Sequence, residues 1–278
     1  MSASSESGST SPVLVGHLHT NARFSSVAWT PYSENGRYPM GLVIGGMVDG
    51  TLNVWSLHGD GSDGLTPQLE QTLAPGGGVS WSGSITALSF SPLESHHVAA
   101  GTTNGHVLVL DCQAMSVDHP ADQAASPSKD CSITSTAWNS QVAHILASSG
   151  SDGHVQVWDT KSRKVWCEIR ATDNMGGSIS MTLWNPTQGL HLLTANGDDR
   201  NPIIQVWDLG ASTTMPLSTL RGHGAGILHA SWCPHDDALL LSTGKDGKTI
   251  LWDLVHLRAV AELPVDPATA AAMAAAAC

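Results

Sequence analysis

Residues 222–253 read GHGAGILHASWCPHDDALLLSTGKDGKTILWD, and this stretch decides the fold. Gly222-His223 opens it. Residues 227–232 alternate apolar with small or polar side chains, the period of a half-buried strand. Pro234 starts a turn that runs to Asp237. Residues 239–243 form a short apolar run bounded by turn signals. Asp246-Gly247 is a hairpin signal, and residues 249–252 make another short strand that ends in Trp252-Asp253.

The same order recurs four times upstream. The units begin at Phe24, Ile85, Ile133 and Ile179, and each runs five residues on to an aromatic: Trp29, Phe90, Trp138 and Trp184. Each continues into an apolar run at 42–45, 98–101, 145–149 or 192–195, and then into a strand at 52–55, 107–111, 155–159 or 203–208. Asp49-Gly50, Asn104-Gly105 and Asp152-Gly153 mark three of the intervening hairpins, and Trp158-Asp159 and Trp207-Asp208 close two of the units. A period of about 45–50 residues with four short strands per unit is the signature of a WD-repeat β-propeller blade. No stretch shows convincing helical periodicity. The expected fold is therefore all-β, a propeller with five recognisable blades.

Partial strands are expected at both ends. Residues 12–16 look like the outer strand of a preceding blade. Residues 259–264 look like an outer strand that another unit should follow. The propeller is expected to span 12–264, after a disordered Ser-rich tail at 1–11 and before an Ala-rich tail at 265–278 with no blade pattern. A blade cannot bury both faces alone, so an incomplete array should expose apolar faces and unpaired edges at its ends.

The 278 residues carry a net charge of −12 and only 13% charged residues. An acidic surface repels phosphate backbones, and the densest basic stretch, 161–164, is too short for a patch, so nucleic-acid binding is not expected. Five cysteines without Cys-x-x-Cys spacing support neither a zinc site nor a disulfide framework, and free thiols fit a chain of the cytosol or nucleus. There is no secretory signal and no apolar run long enough to span a membrane.

WD-repeat blades carry a structural hydrogen-bond network of a Gly-His histidine, a second-strand Ser or Thr, a third-strand Trp and the hairpin Asp. Here His223, Ser242 or Thr243, Trp252 and Asp246 fit it. His17, Asp49 and Trp55 are a looser version. Asp152, Trp158 and Ser148 or Ser149 lack the histidine. Ser, His and Asp in one blade could be misread as a catalytic triad, which is defined by geometry and not by composition. Gly247-Lys248-Thr249 resembles the end of a phosphate loop, but it sits in a hairpin with no helix behind it. His96-His97 are read as solvated. Trp81, outside the blade pattern, is read as a loop anchor. No catalytic residue, metal or cofactor is expected. Loops are the natural contact elements, and Asp198, Asp199 and Arg200 occupy an extended hairpin where other repeats turn tightly.

Several stretches go beyond a generic repeat. These are ITSTAWNSQVAHILASSGSDGHVQVW at 133–158, DDRNPIIQVWDL at 198–209, LLLSTGKDGKTILWD at 239–253, and WTPY at 29–32 leading into GLVIGGMVDGTLNVW at 41–55. Together they resemble the N-terminal propeller of the larger outer-coat subunit of the COPII vesicle coat, the Sec thirty-one family. The resemblance implies a scaffold in endoplasmic reticulum to Golgi transport. Its partners would be neighbouring propellers and a smaller WD-repeat outer-coat subunit. It would be cytoplasmic, peripheral at endoplasmic-reticulum exit sites and on COPII coats, with membrane association only through the coat. Set against a seven-bladed parent of that family, the chain is expected to be incomplete. The alternative is a generic WD-repeat adaptor, such as a ubiquitin-ligase substrate receptor or a signalling platform, since the fold alone does not fix function.

Overall fold

A computed structural model describes residues 17–33, 36–59, 65–76, 80–120, 131–170 and 177–264. The expected tails at 1–11 and 265–278, and the expected strand at 12–16, lie outside these residues. All regular elements among the described residues are strands, grouped in five four-stranded antiparallel sheets. Blade 1 holds β1 (Phe24–Thr30), β2 (Leu42–Met47), β3 (Leu52–Gly59) and β4 (Leu65–Leu73). Blade 2 holds β5 (Ile85–Phe90), β6 (His97–Thr102), β7 (Val107–Asp111) and β8 (Ser116–Asp118). Blade 3 holds β9 (Ile133–Trp138), β10 (Ile145–Gly150), β11 (His154–Asp159) and β12 (Lys164–Arg170). Blade 4 holds β13 (Ile179–Trp184), β14 (His191–Asn196), β15 (Ile203–Asp208) and β16 (Ser218–Arg221). Blade 5 holds β17 (Ile227–Cys233), β18 (Asp236–Gly244), β19 (Lys248–Asp253) and β20 (Arg258–Pro264).

Each sheet is a meander whose strands pair in chain order. The hairpin glycines do what the Asp-Gly signals required: Gly153 and Gly247 take φ of +80° and +74°, a region costly to any residue with a Cβ. One sequence reading is refined here. Residues 259–264 fall in β20, which pairs with β19 as the outer strand of blade 5 itself. The turn expected at 234–237 is also shorter, because β18 already starts at Asp236.

The core lies between blades. Leu42, Ile44, Leu52 and Val54 of blade 1 pack with Ile85, Val98, Leu108 and Leu110 of blade 2. Equivalent clusters join blades 2 and 3, blades 3 and 4, and blades 4 and 5. Innermost strands pack in sequence, β1 with β5, β5 with β9, β9 with β13 and β13 with β17, but β17 makes no comparable contact with β1. The terminal blade faces show the consequence. Leu193 in β14 is fully buried against blade 5, whereas Leu241, at the same place in β18, is 38% exposed. At the other end Val27 and Trp29 of β1 are each more than half exposed. Trp81 is the anchor the sequence suggested. It is buried, and its indole N–H donates to Gly50 O at 2.9 Å.

Candidate functional site

Two kinds of feature could carry function: the buried polar network and the surfaces where blades meet. The network is complete in blade 5. Ser242 Oγ lies 2.7 Å from His223 Nε2 and accepts the Trp252 indole N–H at 2.8 Å. His223 Nδ1 lies 3.1 Å from Asp246 Oδ1. A neutral imidazole satisfies all of these if Nδ1–H donates to Asp246 and Nε2 accepts the Ser242 hydroxyl proton. Burial pushes the Asp246 carboxyl up, but the Gly224 N–H, His223 and the Lys248 N–H outweigh it, and its pKa ends below the ordinary value. Ser, His and Asp thus stand in triad-like order. The serine is only 1% exposed, and its oxygen already holds an indole, so no substrate carbonyl can reach it.

Of the two candidates in β18, Ser242 makes these bonds. Thr243 does not: side chains alternate along a strand, so Thr243 points to the opposite face from Ser242, and its side chain makes no hydrogen bond into the network among the described residues. In blade 3, Trp158 donates to Ser148 Oγ at 2.8 Å, while Ser149 sits beside Thr134 instead. Asp152 takes its side-chain partner from the Cys131 thiol, so a cysteine stands where blade 5 has its histidine. The looser set in blade 1 does not assemble. Asp49 accepts the N–H and hydroxyl of Thr51, Trp55 packs on Phe24, and exposed His17 lies edge-on to His19. Blade 4 has a version the sequence reading missed, Trp207 N–H to Thr194 Oγ1 at 3.0 Å.

The surface triplet at 198–200 divides in two. Asp199 accepts the Gly226 N–H at 2.9 Å and pairs with Lys245 at 3.1 Å, both on the blade 5 side. Asp198 accepts the Arg200 N–H and lies 3.6 Å from its guanidinium, which leaves the Arg200 side chain 85% exposed. Further joins between blades had no individual signal in the sequence. Thr86 Oγ1 donates to Ile133 O and Thr134 Oγ1 to Ile179 O, each at 2.5 Å, so the first-strand hydroxyl latches onto the next blade. Arg163 of blade 3 pairs with Asp118 of blade 2 at 2.6 Å. Only an alignment of the repeats, placing Thr86, Thr134 and Ser180 in one column, would have flagged the hydroxyls.

The decoys are also placed. Gly247 ends the hairpin turn and Lys248-Thr249 start β19, with Lys248 paired to Glu262 at 2.7 Å. His96 and His97 are partly buried, not free in solvent as read from sequence, and with Glu94 they bring potential metal-ligating atoms within 4.8 Å of one another. His97 is already engaged by Glu94 at 2.7 Å, and its ring lies parallel to Trp138.

Comparison with known proteins agrees with this architecture. The family model for the nucleolar protein 10-like N-terminal domain matches residues 18–212, and the WD domain, G-beta repeat model matches residues 214–253. A protein transport protein SEC31 of Dictyostelium discoideum is 33% identical over 254 residues, which is 90% of this chain and 18% of that protein. A protein transport protein sec31 of Emericella nidulans is 36% identical over 255 residues, again 90% and 18%. The chain therefore spans about a fifth of the length of the curated relatives it matches. A solved structure described as the COPII outer coat vertex on membranes superposes with a TM-score of 0.74 at 26% identity, over 88% of this chain and 62% of that one. The chain belongs to the WD-repeat β-propeller family that the nucleolar protein 10-like N-terminal model describes, and it is similar to the Sec31 proteins over nine-tenths of its own length.

Proposed function

We propose that this propeller is a scaffold module of the COPII coat, acting in cage assembly during transport from the endoplasmic reticulum to the Golgi. The observation that carries the reading is the 33–36% identity to SEC31 proteins across nine-tenths of the chain, reinforced by the likeness to the outer coat vertex structure. Blade interiors are spent on packing, so the module works through exposed turns and recruits proteins without transforming a substrate. Its partners on this reading are neighbouring propellers and a smaller WD-repeat outer-coat subunit. It sits on the cytoplasmic side of exit sites and touches membrane only through the coat. Arg200, extended from an interrupted hairpin, is the contact residue we assign first, with Asp198 holding its backbone and Asp199 tying the hairpin to blade 5.

Recruitment tests the reading. Fluorescently labelled chain is added to liposomes bearing an assembled COPII coat, beside an unrelated propeller of similar charge. Enrichment on coated over bare liposomes, absent for the control, is the expected result. Equal signals from the two propellers would overturn the assignment.

A further inference from the structure

The turn between β5 and β6 of blade 2 gathers three side chains with metal-ligating atoms, Glu94, His96 and His97. One such atom from each lies within 4.8 Å of the others. Successive residues of a strand point to opposite faces, so the rings of neighbouring histidines ordinarily part. Here His96 still belongs to the turn while His97 begins β6, and the change of backbone puts the two rings 4.1 Å apart. All three side chains keep access to solvent. That of Glu94 is 43% exposed, that of His97 is 27% exposed, and His96 is half-buried.

The backbone beneath the cluster is fixed. The His97 N–H donates to Glu94 O at 2.9 Å, the Ser91 N–H to His97 O at 2.9 Å and the Cys112 N–H to His96 O at 2.8 Å. Thr30 of blade 1 donates its hydroxyl to Ser95 O at 2.6 Å, and the His97 ring lies parallel to Trp138 of blade 3. The shape of the turn does not require these three residues. Blade 3 makes the same bonds, Ile145 N–H to Val142 O, Asn139 N–H to Ile145 O and Thr160 N–H to His144 O. Blade 4 repeats them, His191 N–H to Gln188 O, Asn185 N–H to His191 O and Leu209 N–H to Leu190 O. Where blade 2 has Glu94, His96 and His97, these turns have Val142, His144 and Ile145, or Gln188, Leu190 and His191. One histidine each serves the same backbone, so folding of the turn does not account for the cluster.

We propose that Glu94, His96 and His97 bind a divalent ion that prefers imidazole, with Zn²⁺ as its type. Two ring nitrogens and one carboxylate oxygen make a three-donor set that Zn²⁺ accepts, and water takes the fourth position on the exposed side. Mg²⁺ and Ca²⁺ call for oxygen donors throughout and are disfavoured. Zinc bonds of about 2.0–2.1 Å put tetrahedral ligand atoms about 3.4 Å apart, so the set closes by side-chain rotation over a fixed backbone. The 2.7 Å hydrogen bond between His97 Nδ1 and Glu94 Oε2 already holds two donors together. The ion replaces its proton, which leaves to solvent, and the two atoms part slightly. A net charge of −12 draws cations to the chain at long range. Bound here, the ion clamps a turn that touches blades 1 and 3 as well as its own. The inference stands apart from the coat assignment.

Calorimetric titration of the full 278-residue chain with Zn²⁺ tests it. Free thiols and other His–carboxylate pairs also take zinc, so the variants decide which site is read. His96→Gln and Glu94→Gln should each weaken the tightest site by more than tenfold, since even changes behind the ligands cost a metal site about ten- to a hundredfold. His256→Gln, which breaks an exposed pair with Asp253, should leave that site unchanged. Saturating Zn²⁺ should raise the melting temperature of the parent chain and of His256→Gln, but not of the other two variants. A second measurement uses the parent chain itself: the ring-proton resonances of His96 and His97 should shift together with the first equivalent of Zn²⁺, ahead of the remaining histidines. Should a variant melt lower without metal, these shifts decide. Weakening of less than tenfold in either cluster variant, or an equal effect of His256→Gln, would overturn the proposal. So would first shifts at other histidines.

Discussion

Lys245, in the hairpin of blade 5, reaches Asp199 of blade 4 with Nζ 3.1 Å from Oδ1, and the same ammonium donates to Gly197 O at 2.8 Å. One flexible side chain thus ties together two sheets whose apolar faces already pack. The Asp199 carboxyl also accepts the Gly226 N–H, and that bond first, then Lys245, holds its pKa below the ordinary 3.8. The sign of the linkage follows: the folded state binds this proton less readily than the unfolded chain. Its stabilisation is therefore complete above the ordinary carboxylate value and is lost as pH falls through the lower folded value. Asp199→Asn should remove that part of the acid limb of a melting-temperature-versus-pH profile and leave the profile near neutrality lowered but parallel. Lys245→Met should give a smaller loss, and it should shrink as salt is raised, because the pair is solvent-exposed.

Ser242 and Ser148 occupy equivalent places in blades 5 and 3 and carry different loads. Ser242 serves both Trp252 and His223, whereas Ser148 serves Trp158. Removing an acceptor strands a buried donor at about 1–3 kcal/mol. Ser242→Ala should sit at the upper end of that range and Ser148→Ala at the lower end, measured by urea denaturation at neutral pH. Equal losses would mean that His223 finds another partner when the hydroxyl is gone.

Close approach of blades is most sharply tested at Gly101. A Cβ there would lie 2.3 Å from Ile133 Cγ2 and 2.7 Å from Ile133 Cβ, near the backbone of the next blade, where little can give. Gly101→Ala should cost about 1–3 kcal/mol by overpacking. Gly59→Ala is the matched control, with nothing among the described residues within 4 Å of the added carbon, and its melting temperature should stay near that of the parent chain.

The repeats were legible because each element is short and punctuated. Alternation at 227–232, the run at 239–243 and the short strand at 249–252 after the Asp246-Gly247 turn name three strands of one blade, and five copies make the reading redundant. The blade 5 network was legible too, up to the choice between Ser242 and Thr243. That choice depends on which face of β18 looks at blade 4, and the stacking of blades, which the strand's own pattern does not state, decides it. Contacts between blades were not legible. Asp199 with Lys245 and Thr134 with Ile179 are 46 and 45 residues apart, and their meeting depends on how sheets stack, not on local pattern.

Arg200 separates the structural from the assembly role of the 198–200 hairpin. Its side chain is 85% exposed, and its guanidinium lies 3.6 Å from Asp198, a contact loose enough to add little stability in water. The backbone N–H of Arg200 holds Asp198 whatever the side chain is, so the hairpin keeps its shape on substitution. Arg200→Glu should therefore leave the melting temperature unchanged within about 1 °C, since exposed substitutions typically stay within about 0.5 kcal/mol. Recruitment to COPII-coated liposomes should fall if the guanidinium meets a neighbouring propeller, because a reversed charge at an interface both loses a contact and adds a repulsion. Arg200→Ala should fall less, having lost only the contact. A drop in melting temperature for Arg200→Glu with recruitment intact would place the residue inside the blade's own packing and remove it from the contact surface.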